Sequence, residues 1–153
     1  VRADAIRIDG CTLGAGVVKY LVDANVLSEP TKPRPDSRVV DWLRRHEADL
    51  VVSPIVLGEL QYGILLLPAG RKRTRLTKWF ARGAQLLPTL DFDRSTAATW
   101  ARLVAELKRK GQAMPIKNSL VAATARQHKL TVATRNLVDY QHARVKLVNP
   151  FGN

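Results

Sequence analysis

The run Val17-Val18-Lys19-Tyr20-Leu21-Val22 is apolar on both faces apart from Lys19 and then stops at a carboxylate, Asp23. A strand that alternates hydrophobic and polar residues can turn one face to water; a strand rich in Val, Leu and Tyr on both faces has to be covered on both. That is the condition of a parallel sheet sandwiched between helices. In such sheets ligands collect beyond the carboxyl ends of the strands, where loops and helix N-termini converge. Asp23 and Asn25 stand there, and Val26 and Leu27 return the chain to the core. Taken alone, Asp23 reads first as a helix cap, a role Asp fills well. Its companions further along reverse that order.

The rest of the chain repeats the pattern. Short apolar runs at 50–52, 86–90, 130–134 and 145–148 alternate with segments of helical periodicity, which predicts one α/β domain built as three α/β/α layers around a mostly parallel sheet. A length of 153 residues suits one domain. We expect residues 1–16 to be an extension outside it, 17–150 the domain, and 151–153 a tail. After the first strand, three prolines between Glu29 and Asp36 forbid a regular helix. A helix is then expected from about Asp36, with Val39, Val40, Trp42 and Leu43 inward and His46 at the surface. Ser53-Pro54 is a start signal, Ser as cap and Pro in the first helical position. The helix it opens runs to about Leu67, with Ile55, Leu57, Leu60, Ile64 and Leu67 on its buried side and Glu59 on the flank of that stripe. A carboxylate so close to a core face costs stability unless something pairs with it.

A basic helix follows, carrying Arg71, Lys72, Arg73, Arg75, Lys78 and Arg82 opposite Leu76, Trp79 and Phe80. Pro88 marks the run 86–90 as an edge strand. Asp93 or Ser95 caps the next helix, predicted to turn Ala97, Trp100, Leu103, Val104 and Leu107 inward and to end in Lys108, Arg109 and Lys110. The helix after Pro115 is rich in small residues, Ser119, Ala122, Ala123 and Ala125, and carries Asn118 in its first turn. The strand at 130–134 ends, like the first, in a polar cluster: Thr134, Arg135, Asn136 and then Asp139.

Twenty-five basic residues against thirteen acidic ones give a net charge of +12, a field that draws polyanions such as nucleic acid. No segment approaches the roughly 20 apolar residues of a membrane span. The single Cys11 can form no internal disulfide. With no secretory signal in the first residues, a cytoplasmic setting is expected. Asp23, Glu59, Asn118 and Asp139, brought to one strand edge, would make a set of oxygen ligands suited to Mg²⁺ or Mn²⁺. A basic surface beside an acidic, metal-binding pit is the combination a nuclease needs: cations gather the phosphate backbone, and the acids hold the ion that helps to cut it.

The segments LVDANVLSE, SPIVLGELQYGI and GQAMPIKNSLVAATARQHKLTVATRN, followed by Asp139-Tyr140 and the closing VNP, resemble, in this order and spacing, the PIN domain of VapC-like toxins, including the FitB-like subgroup. The resemblance covers nearly all of residues 18–150. It implies a Mg²⁺- or Mn²⁺-dependent endoribonuclease, usually homodimeric, held in check by a cognate antitoxin. It also implies roles for single residues: Asp23, Glu59 and Asp139 as metal carboxylates, Asn118 in the place of a further catalytic acid, and Asn25, Thr134 and Asn136 as supports that orient these groups or a bound phosphate. Arg71, Lys72, Arg73 and Arg75, with Lys108, Arg109 and Lys110, are candidates for RNA backbone contacts.

Asn118 departs from the family pattern. Asn has the outline of Asp but is neutral and carries an amide donor, so the pocket's shape should survive while its charge falls from four negatives to three. Two origins stay open, an introduced substitution or a natural variant. In either case the chain is expected to be a weak or inactive ribonuclease. Two other readings compete: a catalytically dead PIN-like module that binds RNA or antitoxin, and a haloacid-dehalogenase-like phosphatase. The phosphatase would want a second Asp where Asn25 stands.

Overall fold

The structure is a computed structural model that describes residues 18–152, so the extension 1–16, Val17 and Asn153 lie outside the described residues. Four parallel strands form the sheet: β1 (Tyr20–Val22), β2 (Leu50–Val51), β3 (Thr131–Ala133) and β4 (Lys146–Val148), in the order β2-β1-β3-β4. Seven α-helices accompany them: α1 (Ala24–Leu27), α2 (Ser37–Arg45), α3 (Pro54–Leu65), α4 (Arg71–Arg82), α5 (Arg94–Arg109), α6 (Ile116–His128) and α7 (Leu137–Tyr140). The chain passes from β1 outward to β2 and returns to β3 on the opposite side of β1. The direction of winding therefore reverses between β1 and β3, and the crevice at their carboxyl ends is where this architecture places a site.

The first strand is buried as its composition demands. Leu21 and Val22 are inaccessible to solvent, and so are Val132 and Ala133, their partners across the β1–β3 ladder. Each such Leu or Val contributes about 1.5–3 kcal/mol relative to an exposed one, which is why a three-residue strand holds its place. The ladder reaches beyond the strands themselves: Lys19 N–H donates to Asp49, Thr131 N–H to Lys19, and Asp23 N–H to Ala133 at 2.9 Å.

Several expectations change. The run 86–90 is not a fifth strand: Ala84–Leu86 is a 3-10 turn, and only a parallel bridge joins Thr89 to Val52. Pro88 has no N–H to give, but its carbonyl accepts from Val52, and Leu90 N–H returns to Val52, so two bonds are all the edge sustains. In α3 the buried positions are Val56 and Ile64, while Ile55, Leu57, Leu60 and Leu67 are only partly covered. In α5 the buried residues are Thr96, Thr99, Leu103 and Leu107, with Ala97 exposed. That helix is rotated because Thr99 and Trp100 hydrogen-bond to α6, Thr99 through Gln127 and Trp100 through Ser119. His46 is not a loose surface residue: its ring stacks on Trp42 at 4.5 Å and meets Tyr20 edge-on at 5.0 Å. Phe151, assigned to a tail, is buried in the core beneath the Arg135 guanidinium, 4.7 Å from the ring centre.

The expected caps Ser53 and Asp93 are present on α3 and α5, and Asp36 also caps α2, each through its side chain. The small residues of α6 serve close packing, with Ser119 and every residue from Val121 to Ala125 buried. Among the described residues, no helix is long and apolar enough to cross a membrane.

Candidate active site

Asp23 is only 5% exposed, and its carboxylate is held by four donors. Oδ1 accepts from Ala24 N–H at 2.8 Å, the capping bond of α1. Oδ2 accepts from the Thr134 hydroxyl at 2.9 Å, the Tyr140 hydroxyl at 3.2 Å and the Asn25 side-chain amide at 3.4 Å. Capping is thus part of what Asp23 does, and three side chains from separate parts of the chain turn to the other oxygen. Hydrogen bonds are what make an ionised carboxylate tolerable at this depth.

Thr134, fully buried at the end of β3, is the hinge of the network. Besides donating to Asp23, its hydroxyl accepts from the Asn25 amide at 3.3 Å and from Asn136 N–H at 3.1 Å. Asn25 Oδ1 in turn accepts from Arg135 N–H at 2.9 Å, so Asn25 and Thr134 orient the site by tying the β1 and β3 ends together. Asn136 takes part through its backbone and caps α7 without a side-chain bond.

Asp139 lies in α7, a helix the sequence did not announce, and its Oδ2 accepts from the Asn118 amide at 3.2 Å. Asn118 is placed by the α5–α6 contact. Trp100 Nε1 donates to Ser119 Oγ at 3.0 Å, and Ser119 Oγ donates to Ile116 carbonyl at 2.6 Å, which fixes the first turn of α6. Glu59, half-buried on α3, pairs with Lys117 Nζ at 3.1 Å.

Tyr140 is buried against Asp23. Burial, first, and then the charge and hydrogen bond of Asp23 and the charges of Glu59 and Asp139 all push its hydroxyl above the ordinary tyrosine value. Tyr140 therefore stays protonated and donates to Asp23.

The metal-ligating groups the sequence named are carboxylates, Asp23, Glu59 and Asp139, and Asn118 presents its amide nitrogen to Asp139. Such a set suits a hard divalent ion such as Mg²⁺ or Mn²⁺ and offers no thiolate or imidazole for zinc. Among the described residues, no three Asp, Glu, His or Cys side chains are gathered tightly enough to hold a metal between them. Two polar contacts stand beside these acids. Asn118 donates to Asp139, and Lys117 pairs with Glu59. The carboxylate chemistry fits a hard divalent ion.

The family model described as "PIN domain" matches residues 20–145. The chain belongs to the PIN domain family. Toxin FitB of Neisseria gonorrhoeae is 37% identical over 137 residues, covering 86% of this chain and 97% of the relative. The VapC ribonuclease Y4jK of Sinorhizobium fredii is 31% identical over 137 residues, covering 86% and 96%. Among solved structures, FitAcB from Neisseria gonorrhoeae superposes with a TM-score of 0.80 at 37% identity, over 86% of this chain and 98% of that one. FitAB bound to the IR36 DNA fragment gives 0.81 at 35% identity, over 88% and 96%.

Within this PIN domain, the sequence-predicted residues divide. Asp23, Asn25, Thr134, Asn118 and Asp139 are joined by direct hydrogen bonds in two linked groups, and Glu59 is connected to the second through its neighbour Lys117. The two basic runs are not one patch by their packing. Arg71, Lys72, Arg73 and Arg75 lie on α4, which packs on α3, whereas Lys108, Arg109 and Lys110 end α5, which packs on α6. Arg75 also donates to the Thr31 carbonyl at 3.2 Å, and Lys110 is paired with Glu106. Two residues bonded to the predicted acids escaped the sequence reading, Tyr140 and Lys117. A tyrosine directly after a site acid, with an apolar body and a polar tip, was the available signal for the first. For the second it was a lysine in the first turn of a helix, where the dipole disfavours a cation. Asn25 is bonded to Arg135 and Thr134 beside a single site Asp, so the haloacid-dehalogenase-like reading gains nothing from the geometry.

Proposed function

We propose that this chain is the endoribonuclease toxin of a toxin–antitoxin pair, acting on RNA phosphodiesters with Mg²⁺ or Mn²⁺, and weakened as written by Asn118. The observation that carries the reading is the hydrogen-bond network at the carboxyl edge of β1 and β3, in which Thr134, Tyr140 and Asn25 hold Asp23 while Asn118 holds Asp139, the residue before Tyr140. The relatives support it by their names: FitB is a toxin and Y4jK a VapC ribonuclease, and the FitAB structures are solved as complexes. A cognate antitoxin, a homodimeric assembly and a cytoplasmic setting belong to the same proposal.

A divalent ion held by Asp23, Glu59 and Asp139 would supply the Lewis-acid charge that phosphodiester hydrolysis requires. The chain's own groups do the rest. Thr134, Tyr140 and Asn25 saturate Asp23 Oδ2, which leaves Oδ1, with one backbone donor, as the oxygen better able to accept a further contact. Asn118 keeps Asp139 in place but, being neutral, can neither strengthen the field on a cation nor take a proton from water. Basic residues on α4 draw in the phosphate backbone without reading sequence.

The test is Asn118→Asp. Metal-dependent RNA cleavage that EDTA abolishes should rise by orders of magnitude over the parent chain; equal rates in the two forms would sink the reading. The Asn118–Asp139 bond also favours a second reading, a PIN-like module that captures RNA or antitoxin without cutting. That reading predicts RNA binding with no fragments, in both forms, at any Mn²⁺ concentration.

A further inference from the structure

Lys117 is the second residue of α6, whose first turn has no acidic residue and whose N-cap, Pro115, makes no side-chain bond. A cation there opposes the helix dipole, so its position is unfavourable for the helix on its own account. Its Nζ nevertheless reaches across to α3 and meets Glu59 Oε1 at 3.1 Å. The next residue, Asn118, donates from the same turn to Asp139 Oδ2 at 3.2 Å. One helical turn thus delivers two donors to two of the three acids, a full positive charge to one and an amide to the other.

We infer that Lys117 is a built-in counter-ion for Glu59, a latch whose charge competes with a divalent cation for that carboxylate. The inference rests on the proposed metal-dependent reading of the site. It concerns a positioning residue: Lys117 touches Glu59, and through Glu59 it governs how readily the carboxylate set closes. The pair is open to water, with side-chain exposures of 62% for Lys117 and 35% for Glu59, so the latch is weak enough for an ion to open. Lys117 acts by charge, and a lysine removed from the pocket leaves both Glu59 and the local negative field free for a cation.

The experiment follows Mn²⁺ binding by loss of the free-ion electron paramagnetic resonance signal, with no substrate present. Four chains are compared: the parent, Asn118→Asp, and Asn118→Asp combined with Lys117→Met or with Lys117→Arg. In the Asn118→Asp background, Lys117→Met should tighten Mn²⁺ binding roughly two- to fivefold, the range an exposed ion pair of this kind spans. Lys117→Arg, which keeps the charge, should leave the affinity near that of Asn118→Asp. At about 1 M salt, where charges are screened beyond about 3 Å, the gain from Lys117→Met should shrink toward nothing. Equal or weaker binding in Lys117→Met overturns the latch while leaving the metal site standing. A gain that persists unchanged at high salt also overturns it, since packing and not charge would then be responsible. If Asn118→Asp binds no Mn²⁺ with or without Lys117→Met, the metal reading falls and the latch falls with it.

Discussion

Thr134→Val is the perturbation that separates the site's hydrogen-bond network from its packing. Valine matches threonine in shape, so the fully buried pocket at the end of β3 stays filled while the hydroxyl disappears. Three bonds go with it: the one donated to Asp23 Oδ2 at 2.9 Å and those accepted from Asn25 at 3.3 Å and Asn136 N–H at 3.1 Å. They are not equal. A bond to an ionised carboxylate contributes about 1.5–3 kcal/mol, and Asp23 is too deep for water to replace it easily. Asn25 keeps its own contact with Asp23, and Asn136 is exposed, so each of these adds at most about 0.5 kcal/mol after rebonding. The sum is about 3 kcal/mol, which for a domain of this size lowers Tm by roughly 6–12 °C. Thr134→Ser is the control: it keeps the hydroxyl and loses one buried methyl, worth about 1 kcal/mol. Urea unfolding of the two variants and the parent, at matched m-values, gives the comparison. If Thr134→Val proves as stable as Thr134→Ser or more so, the hydroxyl is not holding Asp23 and the account of the network is wrong.

Two further outcomes test the surface and the pH response. Replacing Arg71, Lys72 and Arg73 together by Gln should lower RNA affinity. It should also reduce the steepness of log K against log[salt] by about 2, since each lost phosphate contact on single-stranded nucleic acid removes about 0.7; an unchanged slope would show that α4 does not meet the backbone. His128 is held below the ordinary histidine value of 6.5 by burial, against the opposing pull of Asp93. A depressed value favours the neutral ring in the folded state, so its stabilising contribution is complete above pH 6.5 and is lost as the pH falls from there through the lowered folded value. Stability should therefore decline as the pH falls below 6.5, and His128→Gln should flatten that part of the curve.

What the sequence made legible was whatever a short window decides. Two-sided apolarity located β1, and the Ser53-Pro54 and Asp93 signals located the starts of α3 and α5, because caps and strand composition act over a few residues. The carboxylates could be named for the same reason: each interrupts or flanks an apolar run. How they are joined was hidden. Tyr140 reaches Asp23 across 117 residues and Lys117 reaches Glu59 across 58, and no local pattern encodes such a meeting. The same limit explains the rotated α5 face: Ala97 looked like core by periodicity, yet Thr99 and Trp100 find partners on α6 that no window containing α5 includes. Pro88 had the opposite effect. Its missing N–H was visible at once, but whether an edge strand survives it depends on how much of Val52 is free to pair, and Val52 sustains only two bonds. Periodicity, then, assigns a residue to a side of its element, while the partner on the next element determines whether that side is core or site. In this chain the exceptions cluster where a polar group crosses between elements, as it does at Asp23, Glu59 and Asp139.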